Sequence, residues 1–143
     1  MKTILKIIAA ICFAGVVVQF IPITKDNPPV TGEIAVSEKV QQIVKRSCYD
    51  CHSNETKWPW YSRIAPISWL VARDVKEGRQ NLNFSTWQNL AKAEQENLKN
   101  RIQLEVSEDS MPPFIYKLGH PDAKMSENEK EAIIKWASKK NPS

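Results

Sequence analysis

The chain has 143 residues, 42% of them apolar and 25% charged, a mix that fits one small globular domain and excludes disorder and fibrous repeats. Lys and Arg outnumber Asp and Glu by 20 to 16, and by only 18 to 16 once Lys2 and Lys6 are set aside. With no basic run in the chain, nucleic acid is not an expected partner, and three cysteines are too few for a disulfide framework.

Lys2 and Lys6 lead into an uncharged stretch of 17 residues from Ile7 to Ile23, the short end of what spans a bilayer. No A-x-A cleavage signal occurs, and Ile11 ahead of Cys12 does not suit a lipoprotein site. Residues 1–23 are therefore expected to stay as a single-pass signal anchor, and the two lysines favour a cytoplasmic N-terminus. The alternative is a cleaved signal and a soluble periplasmic product. Either way the rest of the chain is exported. Residues 24–36, with Pro28, Pro29 and Gly32, read as a mobile linker. At ~3.3 Å per residue it would reach ~43 Å. The domain proper is expected over 37–143.

Ser37 suits an N-cap, and Val40, Ile43 and Val44 follow at helical spacing, so a helix is predicted from Glu38 into Cys48–His52. Ser53 to Ala65 reads as an aromatic loop. Pro66 fits the first turn of a second helix, with Ile67, Leu70, Val71 and Val75 inward and Gly78 at its C-terminal end. Ser85-Thr86-Trp87-Gln88 matches a capping box opening a third helical region, broken near Ala93, with Leu90, Leu98 and Ile102 as core candidates. Ser107 to Asp122 reads as a loop. Ser126 to Glu129 is a second capping box, before a last helix carrying Ile133, Trp136 and Ala137 and ending on exposed Lys135, Lys139 and Lys140. No strand pattern is found, so the fold class is all-α. Loops this long in a small domain need something to pack against.

That something is suggested by Cys48-Tyr49-Asp50-Cys51-His52. Two thiols three apart on a helical turn, with an adjacent histidine, have the spacing of covalent c-type haem attachment. Cys48 and Cys51 would form thioethers to the vinyl groups, and His52 would bring an imidazole nitrogen to the iron. A thioredoxin-like dithiol would need a preceding strand, and none is visible. A zinc site could be assembled only from Cys48, Cys51, His52 and His120.

For the opposite face of the iron, Met111 is preferred. It precedes Pro112-Pro113 in a stiffened loop and lies 59 residues after His52. His120 and Met125 are alternatives, as is an open site; Met125 sits where an apolar residue packs against a helix start. Trp58, Trp60 and Tyr61, with Trp69, are candidates for a haem wall. Arg63, Arg73 and Arg79 are candidates for propionate neutralisation.

The chain broadly resembles a class I cytochrome c. It more closely resembles the bacterial haem-binding domain family of small exported or membrane-anchored c-type haem proteins. The resemblance is carried by Cys48 to Ser53, Trp58 to Ser62, Ala65 to Trp69, Gly78-Arg79, Leu82 to Trp87, Met111 to Pro113 and His120 to Lys124. It implies helices wrapped around one haem c held by Cys48, Cys51 and His52, and supports Met111 as the distal ligand. On this reading the protein transfers single electrons to an unknown redox partner. A haem-based sensor or a peroxidase-like enzyme is the alternative.

Overall fold

The computed structural model describes residues 1–139, and all regular structure among them is helical. Helix α1 spans Lys2–Val17 and is prolonged by a 3₁₀ turn, Val18–Phe20. Together they make a helix of mean hydropathy 2.2 with none of its surface buried, long and apolar enough to cross a membrane. The domain comprises α2 (Glu38–Ser47), α3 (Tyr49–His52), α4 (Ile67–Asn81), α5 (Lys92–Ser107), α6 (Phe114–Gly119) and α7 (Glu127–Ala137). Helix α7 packs against both α2 and α5, while α3 packs against α4.

The amphipathic spacing read in α2 buries Val40, Ile43 and Val44, and α7 adds Ile133 and Ala137. An aromatic row continues this core. Tyr49 stacks on Phe84 at 5.8 Å, Phe84 on Trp87 at 6.1 Å, and Trp87 meets Trp136 at 6.0 Å. The capping box at α7 forms as expected, with Glu129 accepting from the backbone N–H of Ser126 at 2.8 Å. Pro66 is the N-cap of α4. Lys135 and Lys139 are exposed, while Lys140 lies outside the described residues.

The expected mobile linker is instead a strap bound along the domain. Thr31 and Gly32 donate to Ser85 O, Ile34 donates to Phe84 O at 3.0 Å, and Ile34 is buried. Arg79 fastens the upstream part: Nη1 donates to Asp26 O at 3.0 Å, and Nη2 to Asn27 Oδ1 at 2.8 Å. The Pro-Gly composition that suggested freedom serves close approach. A Cβ on Gly32 would lie 2.8 Å from Asn89 Oδ1.

Three further boundaries differ from the sequence reading. Helix α4 does not stop at Gly78 but runs to Asn81, because Gly78 is where α4 crosses the Cys51 backbone. The Ser85 capping box is not formed. Asn83 accepts from Ser85 N–H at 3.0 Å and opens a 3₁₀ segment, Phe84–Asn89, so α5 starts only at Lys92. A short asparagine side chain, two residues from the N–H that donates to it, outcompetes the helix start. The expected loop from Ser107 to Asp122 contains α6 and a 3₁₀ turn at Pro121–Ala123.

Candidate functional site

Cys48 is the N-cap of the short α3, Cys51 lies within it, and His52 ends it. The backbone N–H groups of Cys51 and His52 both donate to Cys48 O, at 3.3 and 2.9 Å, which winds the three side chains onto one turn. All three border a cavity of about 480 Å³, within the ~300–1,000 Å³ range of cofactor sites. The wall also includes Leu98, Arg101 and Ile102 of α5, the Met111-Pro112-Pro113 segment, and Phe84, Met125 and Trp136.

Gly78 O and Leu82 O lie 3.0 and 3.1 Å from His52 Nδ1. Two carbonyl acceptors fix the proton on that nitrogen and leave Nε2 with its lone pair. Burial holds the imidazole pKa below its usual value, which keeps the ring neutral. Gly78 is required for this contact. A Cβ there would strike Cys51 O and come within 3.1 Å of Cys51 Cβ.

Burial pushes the Cys48 thiol up to about 12 and the Cys51 thiol up to about 11. Such thiols stay protonated at neutral pH, unlike the depressed thiols of disulfide exchange. Among the described residues, no group of three or more His, Cys, Asp or Glu side chains is placed to hold a metal ion, which leaves the zinc reading without a site. Ser47 Oγ, also in the cavity wall, is buried with no hydrogen-bond partner. A mostly apolar hollow with one orphaned hydroxyl, two neutral thiols, a free imidazole nitrogen and, at its polar positions, Arg101 together with Asp50, Asp74, Glu77 and Glu105 fits a haem as its occupant.

Met111 is brought to this cavity by the end of α5. Asp109 takes the left-handed conformation (φ 56°), and Ser110 and Met111 N–H both donate to Glu105 O, at 3.0 and 3.2 Å. Lys130 and Lys117 hold the Asp109 carboxylate at 3.0 and 3.1 Å. Met125 shares the wall but is also packed in the core, 4% exposed.

His120 is not brought to the cavity. Its Nε2 is hydrogen-bonded to the Tyr61 hydroxyl at 2.6 Å, and its ring stacks on Tyr116 at 4.3 Å. Tyr116 in turn donates to Asp50 Oδ2 at 2.7 Å. Trp58, Trp60 and Tyr61 also stand outside the cavity lining, and Trp60 is 74% exposed. Their turn closes on itself, with Ser62 donating from both N and Oγ to Pro59 O. The aromatic wall is formed instead by Phe84, Tyr116 and Trp136.

None of the three arginines expected at the propionates lines the cavity. Arg79 holds the strap and Arg73 pairs with Asp74. Arg101 does line it, and sequence reasoning did not single it out. Its signal was available, since it lies between Leu98 and Ile102 on the same helical face.

Residues 13–139 match the model of a family described as a haem-binding domain. The chain is also 28% identical over 111 residues to cytochrome c peroxidase Ccp of Escherichia coli strain K12. That alignment covers 73% of this chain but only 24% of the relative, so the chain spans about a quarter of that protein's length. No solved structure matches the chain.

Proposed function

Because the chain belongs to the haem-binding domain family, we propose that it is a mono-haem c-type electron carrier, held in a bacterial inner membrane by α1 with its haem domain in the periplasm. Cys48 and Cys51 would hold the group through thioethers, His52 Nε2 would ligate the iron, and Met111 would supply the opposite ligand. When bound, the haem supplies a one-electron change at iron. The chain's own residues do the rest. Gly78 O and Leu82 O orient His52, Leu98, Ile102 and Met125 exclude water, and Arg101 offsets propionate charge.

The observation that carries this reading is His52. Its Nδ1 is committed to two backbone carbonyls while it shares one cavity with both thiols and Met111. A peroxidase-like enzyme is the second reading, favoured by the similarity to the E. coli peroxidase. Such an enzyme needs an open iron site with a general base beside it. The base candidate His120 is engaged by Tyr61 outside the cavity, which weighs toward electron transfer.

Expression with export and cytochrome-maturation machinery tests the proposal. The haem should stay with the chain through denaturing electrophoresis and be lost from a Cys48→Ser/Cys51→Ser variant. Reduced wild-type protein should bind carbon monoxide slowly or not at all. Rapid binding would replace the electron-carrier reading with the enzyme or sensor reading, and haem released on denaturation would refute covalent attachment.

A further inference from the structure

The segment 56–73 contains Lys57, Arg63 and Arg73 and no acidic residue. Within it, Trp60, Ile64, Ile67 and Leu70 are exposed by 74%, 45%, 46% and 51%. Ile64, Ile67 and Leu70 recur every three residues, so the opening of α4 extends one apolar stripe. Single exposed apolar side chains are ordinary, but a cluster this dense marks a contact surface.

The membrane helix supplies the partner. Gln19, at its C-terminal end, accepts from Ala65 N–H at 2.9 Å and donates to Ala65 O at 3.2 Å. Lys25 donates to Ser62 O at 3.1 Å. The exposed cluster is thereby fixed beside the end of the apolar helix, the level at which a spanning helix leaves the hydrocarbon.

We infer that Trp60, Ile64, Ile67 and Leu70 form a second membrane contact, a face of the haem domain that lies in the boundary between acyl chains and headgroups. Indole rings concentrate at that depth, and apolar side chains with cations around them suit an anionic lipid surface. Arg73 is paired with Asp74 at 3.1 Å, so Lys57 and Arg63 are the cations for lipid phosphates. A lipid surface, rather than a protein partner, is favoured by this one-signed charge and by continuity with the anchor. The inference rests on the reading of α1 as a retained anchor.

The test uses the full haem-loaded chain in vesicles of phosphatidylethanolamine and anionic phosphatidylglycerol. A photoactivatable benzoylphenylalanine replaces Trp60, Ile67 or, as control, Lys135 on α7. Lipid adducts are expected at 60 and 67 and not at 135, in chains that resist alkaline carbonate extraction. The adduct at 60 should be lost on adding Arg63→Glu and Ile67→Asp, with haem staining and carbonate resistance unchanged. A resistant chain without adducts at 60 and 67, or with equal adducts at 135, overturns the docked face alone. Release of the chain by carbonate overturns the anchor reading and the docked face with it.

Discussion

Replacing Gly78 with alanine sets two effects of opposite sign against each other. Gly78 lies inside α4, three residues before its end at Asn81, where helix propensity alone favours alanine by about 1 kcal/mol. Against this stands the α3 backbone. The new Cβ overlaps Cys51 O and lies 3.0 Å from Cys51 C. A backbone carbonyl cannot swing aside as a side-chain tip can, so α4 must shift. Overpacking of this kind costs about 1–3 kcal/mol. The same shift lengthens the 3.0 Å contact between Gly78 O and His52 Nδ1, a hydrogen bond contributing about 1 kcal/mol. The clash and the hydrogen bond outweigh the propensity, and the expected net loss is about 2 kcal/mol. Urea denaturation of the detergent-solubilised chain, followed by helicity and by haem absorbance, measures it. Gly119→Ala is the control, since a Cβ there meets nothing within 4 Å and should be neutral or slightly stabilising. A Gly78→Ala protein stabilised by about 1 kcal/mol, with unchanged haem absorbance, would refute the contact with Cys51 as the reason for this glycine.

Met111→Ala should abolish the weak long-wavelength sulfur–iron absorbance and speed carbon monoxide binding, whereas Met125→Ala should retain that absorbance and cost about 2–5 kcal/mol in a denaturant titration. His120→Ala should leave carbon monoxide binding as in the wild type; an iron opened by this change would identify His120 as the ligand. Arg79→Ala removes charge-assisted hydrogen bonds to Asp26 O, Asn27 and Ser53 O, so amide hydrogen exchange should rise across residues 26–34 while the haem stays attached. Hydrogen bonds from Lys130 and Lys117 lower the Asp109 pKa, so its stabilising effect is present above its unfolded value of ~3.9 and is lost as pH falls through the folded value. Asp109→Asn keeps a residue tolerant of the left-handed turn but removes the charge; its melting temperature should fall less than that of the wild type below pH ~4.

Elements whose signals are local were legible in the sequence. The α7 capping box, the proline before α4 and the 3.6-residue spacing of Val40, Ile43 and Val44 each act over a few residues, and each forms where read. What failed depends on partners distant in sequence. Pro28, Pro29 and Gly32 look like a linker until Ser85, Phe84 and Arg79 are present to bind them. Gly78 looks like a helix end until Cys51 crosses it. Within the site, the spacing of Cys48, Cys51 and His52 placed them on one turn, and the pair of prolines after Met111 pointed to its loop. Arg101 shares a helical face with Leu98 and Ile102 but was passed over, because those two were read only as core and they also line the cavity. Trp58, Trp60 and Tyr61 lie outside the cavity lining, because aromatic density near a motif does not reveal which way a turn closes.

The bound strap changes how far this domain can search. A free linker of residues 24–36 would sweep its site through a hemisphere ~43 Å in radius, meeting partners at many heights above the bilayer. With Gln19 held to Ala65 and Asp26 to Arg79, the intervening slack is a few residues. With α1 in a membrane as proposed, the search would become two-dimensional, by lateral diffusion and by rotation about the membrane normal. On the proposed reading as an anchored electron carrier, a partner whose own electron-accepting centre stands at another height could not be reached by stretching, and the matching of heights, rather than tether length, would set which membrane proteins exchange electrons with this one.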